Sequence, residues 1–118
     1  MLINIDYRKK TSIYEQIVNE IERYVSLGLL KEGERIPSVR SLASDLGINP
    51  NTVKKAYDML EEKGIIVTLS TKGTFIVENT ELVKQERKKE LINSIKDKVK
   101  ELENLDISLD EIIEEIKK

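Results

Sequence analysis

Two short stretches decide how this chain is read: Pro37-Ser38-Val39-Arg40 and, a few residues later, Ile48-Asn49-Pro50-Asn51-Thr52-Val53-Lys54-Lys55-Ala56-Tyr57. Asn49 suits a helix N-cap, and Pro50 suits the first helical position, where a missing N–H costs nothing. Val53, Ala56, Tyr57 and Leu60 then recur at helical spacing and mark one apolar face. The other face carries Asn51, Lys54 and Lys55. Upstream, Ser38 caps a helix running through Leu46, with Val39, Leu42, Ala43 and Leu46 as its packing side. Gly47 is suited to the left-handed turn that ends such a helix, and Ile48 alone separates it from the next cap. A short helix, a glycine turn and a proline-started helix make a helix-turn-helix.

Working outward, Ser12 and Glu15 stand in capping-box relation, so a first helix is expected from there. Ile13, Ile17, Ile21, Tyr24 and Val25 form its inward stripe, and Gly28 marks its end. Leu29 to Arg35 reads as a turn around Gly33, leading to an extended Ile36. Gly64 closes the third helix. Ile65 to Leu69 and Thr74 to Val77 are β-branched and apolar on either side of Ser70-Thr71-Lys72-Gly73, the pattern of a β-hairpin. Directly after a recognition helix, that hairpin is a wing, with Thr71, Lys72 and Gly73 at its tip.

From Glu81 the composition turns to lysine and glutamate. Leu91, Ile92, Ile95, Val99, Leu102 and Leu105 include steps of three, four and three, as in a short coiled-coil seam. Ser108 and Glu111 form a second capping box, opening a last helix with Leu109, Ile112, Ile113 and Ile116 on one side. The fold class expected is therefore mainly α with a small β-hairpin wing (α+β). A winged helix-turn-helix domain occupies residues 1–79, and a two-helix dimerisation tail occupies residues 80–118. The apolar stripes of the tail need a partner, and a second copy pairing through residues 82–116 supplies one.

Charge supports nucleic-acid binding locally rather than globally. The chain holds 20 basic and 22 acidic residues, a net of −2. Residues 35–55 carry Arg35, Arg40, Lys54 and Lys55 against Asp45 alone, so the positive surplus sits where phosphates would be met. Without cysteine or histidine, disulfides, thiol chemistry and imidazole ligands are excluded, and neither a metal nor a cofactor is expected. No phosphate loop or nucleophile elbow is present, so an enzyme is the poorest reading. The amino-terminal segment lacks a signal-peptide pattern and no apolar run would span a bilayer, so a cytoplasmic protein without membrane contact is expected.

The residues expected to meet double-stranded DNA are Arg40, Asn51, Thr52, Lys54 and Lys55, with Lys72 and Gly73 from the wing tip. The Asn51 amide suits adenine, and the lysines suit phosphates. Asn49 and Ser38 are read first as caps, although the helix end that Ser38 exposes can hold a phosphate. Tyr57, Tyr14 and Tyr24 are read as packing. The competing reading is a winged-helix protein-interaction module that never touches DNA. A small effector could bind between the first helix and the tail or at the dimer seam, although no residue cluster marks such a pocket.

The chain resembles the GntR family of bacterial transcription regulators. The resemblance is carried by Tyr14-Glu15-Gln16-Ile17, by Gly33-Glu34-Arg35-Ile36-Pro37-Ser38-Val39-Arg40-Ser41-Leu42-Ala43, by Asn49-Pro50-Asn51-Thr52-Val53 with Ala56-Tyr57, by Leu60-Glu61 and Gly64-Ile65, and by Lys72-Gly73-Thr74-Phe75. The short tail, including Ser108-Leu109-Asp110-Glu111-Ile112-Ile113, is similar to the YtrA subfamily, whose members lack a large ligand-sensing domain. The resemblance implies a bacterial repressor, nucleoid-associated when bound to DNA, and pairing of two copies through the apolar stripe of the tail would set it on a palindromic operator. It also implies that Arg40, Asn51, Thr52 and Lys54 contact DNA. Two departures stand out. Pro50 takes a place where other branches carry a base-reading arginine, and Ser70-Thr71-Lys72-Gly73 replaces the usual Arg-Gly-Lys-Gly of the wing.

Overall fold

The computed structural model describes residues 1–118, except for the side chain of Leu82. Three helices come first: α1 (Ile13–Ser26), α2 (Val39–Leu46) and α3 (Pro50–Glu62), with a short strand β1 (Arg35–Ile36) before α2. Strands β2 (Ile66–Leu69) and β3 (Gly73–Ile76) follow, joined by a 3-10 turn at Ser70–Lys72. Helices α4 (Glu81–Glu103) and α5 (Leu109–Lys117) complete the chain. It divides into two compact units, Met1–Lys84 and Gln85–Lys118.

In the first unit the apolar faces of the three helices meet. Ile17, Val18, Ile21 and Val25 of α1 pack with Leu42 and Ala43 of α2 and with Val53, Ala56, Tyr57 and Leu60 of α3. Ile36, Ile66 and Ile76 bring the sheet onto the same core. Ile3 and Val83, which periodicity did not single out, are also buried there. Between α1 and α3, Lys63 Nζ lies 2.6 Å from the buried Glu22 carboxylate.

Each helix start has its own chemistry. Ser38 Oγ accepts the Ser41 N–H at 3.1 Å, and Asn49 Oδ1 accepts the Asn51 N–H at 2.8 Å. Ser108 Oγ accepts the Glu111 N–H at 3.2 Å and donates to the Glu111 carboxylate. At α1 the box works differently, because Ser12 Oγ donates to Glu15 at 3.0 Å rather than accepting a first-turn N–H. Gly47 sits at φ +65°, the left-handed conformation required to turn α2 into α3 within so few residues.

The sheet has three antiparallel strands in the order β1-β3-β2, where the sequence suggested a two-stranded hairpin with Ile36 merely extended. Arg35 pairs with Phe75 and Ile36 with Thr74 on one side of β3. On the other side, Ile66 pairs with Ile76 and Thr68 with Thr74. β1 is too short for any pattern of its own, and its pairing crosses more than thirty residues of chain. Gly73 belongs to β3 rather than to the tip, at φ +120°. A Cβ there would come within 2.9 Å of Arg35 Nε, so glycine makes room for the Arg35 side chain across the strand pair.

Beyond the wing, the Thr80 N–H and hydroxyl both donate to the Glu32 carboxylate, at 3.2 and 2.9 Å. These bonds hold the Glu32 carboxyl below the ordinary carboxylate range. In the second unit Ile112 is buried, whereas Leu91, Ile92, Ile95, Leu105, Leu109, Ile113 and Ile116 remain exposed. Among the described residues, no helix is long and apolar enough to cross a membrane, and no carboxylate cluster is placed to hold a metal ion.

Candidate nucleic-acid interface

The buried face of α3 fixes which side chains it can present outward. With Val53, Ala56, Tyr57 and Leu60 turned into the core, Asn51, Lys54, Lys55 and Asp58 are left exposed. The start of α2 lies beside α3, because the Tyr57 hydroxyl donates to the Pro37 carbonyl at 2.7 Å. That bond spans the two helices and sets where Ser38 and Arg40 stand relative to Asn51. Tyr57 is thus core, as its spacing suggested, with a polar tip that locks the turn. Burial also raises its phenol pKa well above the ordinary value.

One shallow groove of about 490 Å³ gathers several of the expected residues. Arg40 enters it from α2, Asn51 and Lys54 from α3, and Thr68 and Thr74 from the wing strands. Glu61 attaches the wing to α3 by accepting the Thr68 N–H at 3.2 Å. The groove is thus lined by α2, α3 and both strands of the wing, with Arg40 and Lys54 as its cations and Asp58 and Glu61 as its carboxylates. Thr68, Glu61 and Asp58 were not among the site residues expected from sequence. Strand alternation could have flagged Thr68, and the four-residue spacing from Lys54 could have flagged Asp58.

The cations differ in their present partners. Among the described residues, Arg40 has no ion-pair partner. Lys54 Nζ is 3.0 Å from Asp58, an exposed pair one turn along the same helix. Lys55 turns to the other flank of α3, where its Nζ lies 4.0 Å from the centre of the Tyr14 ring. So Lys55 stands apart from the groove that holds Arg40 and Lys54, and Tyr14 both packs and steers a cation. Ser38, Asn49, Asn51 and Lys72 are exposed, while Thr52 and Gly73 are half-buried. Asn49 spends its side-chain oxygen on its cap.

Three helices with a glycine turn between the second and third, followed at once by the β2–β3 wing, define a winged helix-turn-helix of the DNA-binding class. Residues 13–76 match the profile of bacterial regulatory proteins of the gntR family, and the chain belongs to that family. It is 45% identical over 101 residues to the HTH-type transcriptional repressor YtrA of Bacillus subtilis, covering 86% of this chain and 75% of that protein. Against the HTH-type transcriptional regulator YhcF of Bacillus subtilis it is 32% identical, over 94% of this chain and 92% of the relative. A GntR family transcriptional regulator from Listeria monocytogenes has a similar solved structure, with a TM-score of 0.84 at 32% identity, covering 96% of this chain and 97% of the other. The protein is a DNA-binding transcription regulator.

Proposed function

We propose that the groove between α2, α3 and the wing reads an operator, with the following division of labour. Arg40 and Lys54 hold phosphates, and Asn51 and Thr52 face base edges in the major groove. Ser38 and Asn49 present capped helix starts to the backbone, and Lys72 at the wing tip, with Gly73 opening β3 behind it, lies over an adjacent phosphate. Lys55 serves the far flank of α3. The convergence of Arg40, Asn51, Lys54 and Thr68 on one open groove carries this reading.

Two copies joined through the exposed apolar residues of 82–116 would set two such grooves on a palindrome, with half-sites about 10–10.5 base pairs apart. We assign residues 1–79 to DNA and residues 80–118 to this pairing. A relative at 45% identity is named a repressor, which supports repression as the outcome here, exerted in the bacterial cytoplasm without catalysis. The test is fluorescence anisotropy across a salt series, on a duplex selected from a random pool by the protein itself. Arg40→Ala should weaken binding at least tenfold and flatten the salt dependence. Unchanged affinity would place the interface elsewhere.

A further inference from the structure

A basic turn that the interface above does not use precedes α1, the helix whose Tyr14 meets Lys55 on the flank of α3 away from the groove. Arg8, Lys9 and Lys10 follow one another just before α1, and all three are exposed. The turn is held by a buried side chain. Gln16 accepts the Asp6 N–H at 2.9 Å and donates to the Asp6 and Thr11 carbonyls at 2.9 and 3.0 Å. The Lys9 N–H also reaches the Asp6 carbonyl at 3.3 Å. Arg8 is engaged by Asp6 at 3.4 Å. Among the described residues, neither Lys9 nor Lys10 has an ion-pair partner.

The position of this turn follows from one contact. Lys55, in the middle of α3, lies over the Tyr14 ring in the first turn of α1. Lys10 precedes Tyr14 by four residues, so its backbone stands within about 14 Å of the Tyr14 backbone. The nearby Glu15 carboxylate already accepts the Ser12 hydroxyl. A helix seated in a major groove about 12 Å wide has a phosphate backbone along each flank. Arg40 and the wing occupy one flank of α3, and the other belongs to the start of α1.

We propose that Lys9 and Lys10 form a second phosphate clamp, gripping the DNA backbone on the α1 side. The proposal rests on α3 being the helix that enters the groove. Phosphate contacts give affinity and register without sequence preference. The Lys9→Gln/Lys10→Gln variant should therefore bind several-fold more weakly to the selected duplex. The slope of log affinity against log salt should shrink by about 0.9 for each phosphate that the variant no longer neutralises. The selected base preference should stay as in the unaltered protein. Measured beside it, Arg40→Ala separates the two ideas. If that variant weakens binding while the lysine variant matches the unaltered protein, the second clamp is overturned and the groove reading stands. If neither substitution changes binding, both fall.

Discussion

Lys54 shows how a single side chain can face two partners. Its exposed pair with Asp58 spans one helical turn, and such pairs contribute about 0.5 kcal/mol or less. A phosphate arriving at the groove would compete with Asp58 for the same ammonium group. Asp58→Asn should therefore tighten operator binding about two- to fivefold at low salt, with the gain fading as salt rises. Tyr57 is a second residue with a legible cost. Its hydroxyl donates to the Pro37 carbonyl, and Tyr57→Phe should lower stability by about 1 kcal/mol. Burial raises the phenol pKa in the folded chain. The unfolded phenol ionises near pH 10 and the folded one only above that. The contribution is thus complete below about pH 10 and declines as pH rises further. Denaturant melts of the two proteins from pH 8 to pH 11 should converge at the alkaline end.

At the scale of an element, α3 begins where Asn49 makes it begin. The cap bond from the Asn51 N–H is short, and Pro50 needs none. Asn49→Ala should cost about 1 kcal/mol, seen as a lower thermal midpoint. Because Asn51 and Thr52 lie in the first turn, the same substitution should also loosen operator binding. Restoring the cap with Asn49→Asp should recover stability, while its negative charge at the DNA face should keep binding weak. A full recovery of binding by the aspartate would show that Asn49 stays clear of phosphates. The wing depends on pairing rather than propensity. β1 is two residues long, and Gly73 gives space to Arg35 across it.

For the whole molecule, the decisive fact is the apolar surface left on the second unit. Leu91, Ile92, Ile95, Leu105, Leu109, Ile113 and Ile116 are exposed within one stretch of 26 residues, more than scattered surface residues require. Sedimentation at micromolar concentration should find a dimer. Ile92→Asp/Ile95→Asp should sediment as a monomer and lose most operator affinity, because one groove alone covers half a palindrome. A dimer that survives both substitutions would move the interface off α4.

What the sequence by itself determined was everything governed by local rules. The caps at Ser38, Asn49 and Ser108, the proline start of α3 and the apolar face Val53, Ala56, Tyr57 and Leu60 each follow from neighbours a few residues apart, and each was legible. The motifs of residues 13–77 carried the family as well. Tertiary structure alone decided what depends on distant partners. It paired β1 with β3 and buried Ile3 and Val83. It also turned Lys55 toward Tyr14, away from the groove, and brought Thr68 to face Arg40 and Lys54. Periodicity reports which side of an element is apolar. It says nothing about which element will come to lie against it, and the shape of the DNA-reading groove is set by those meetings.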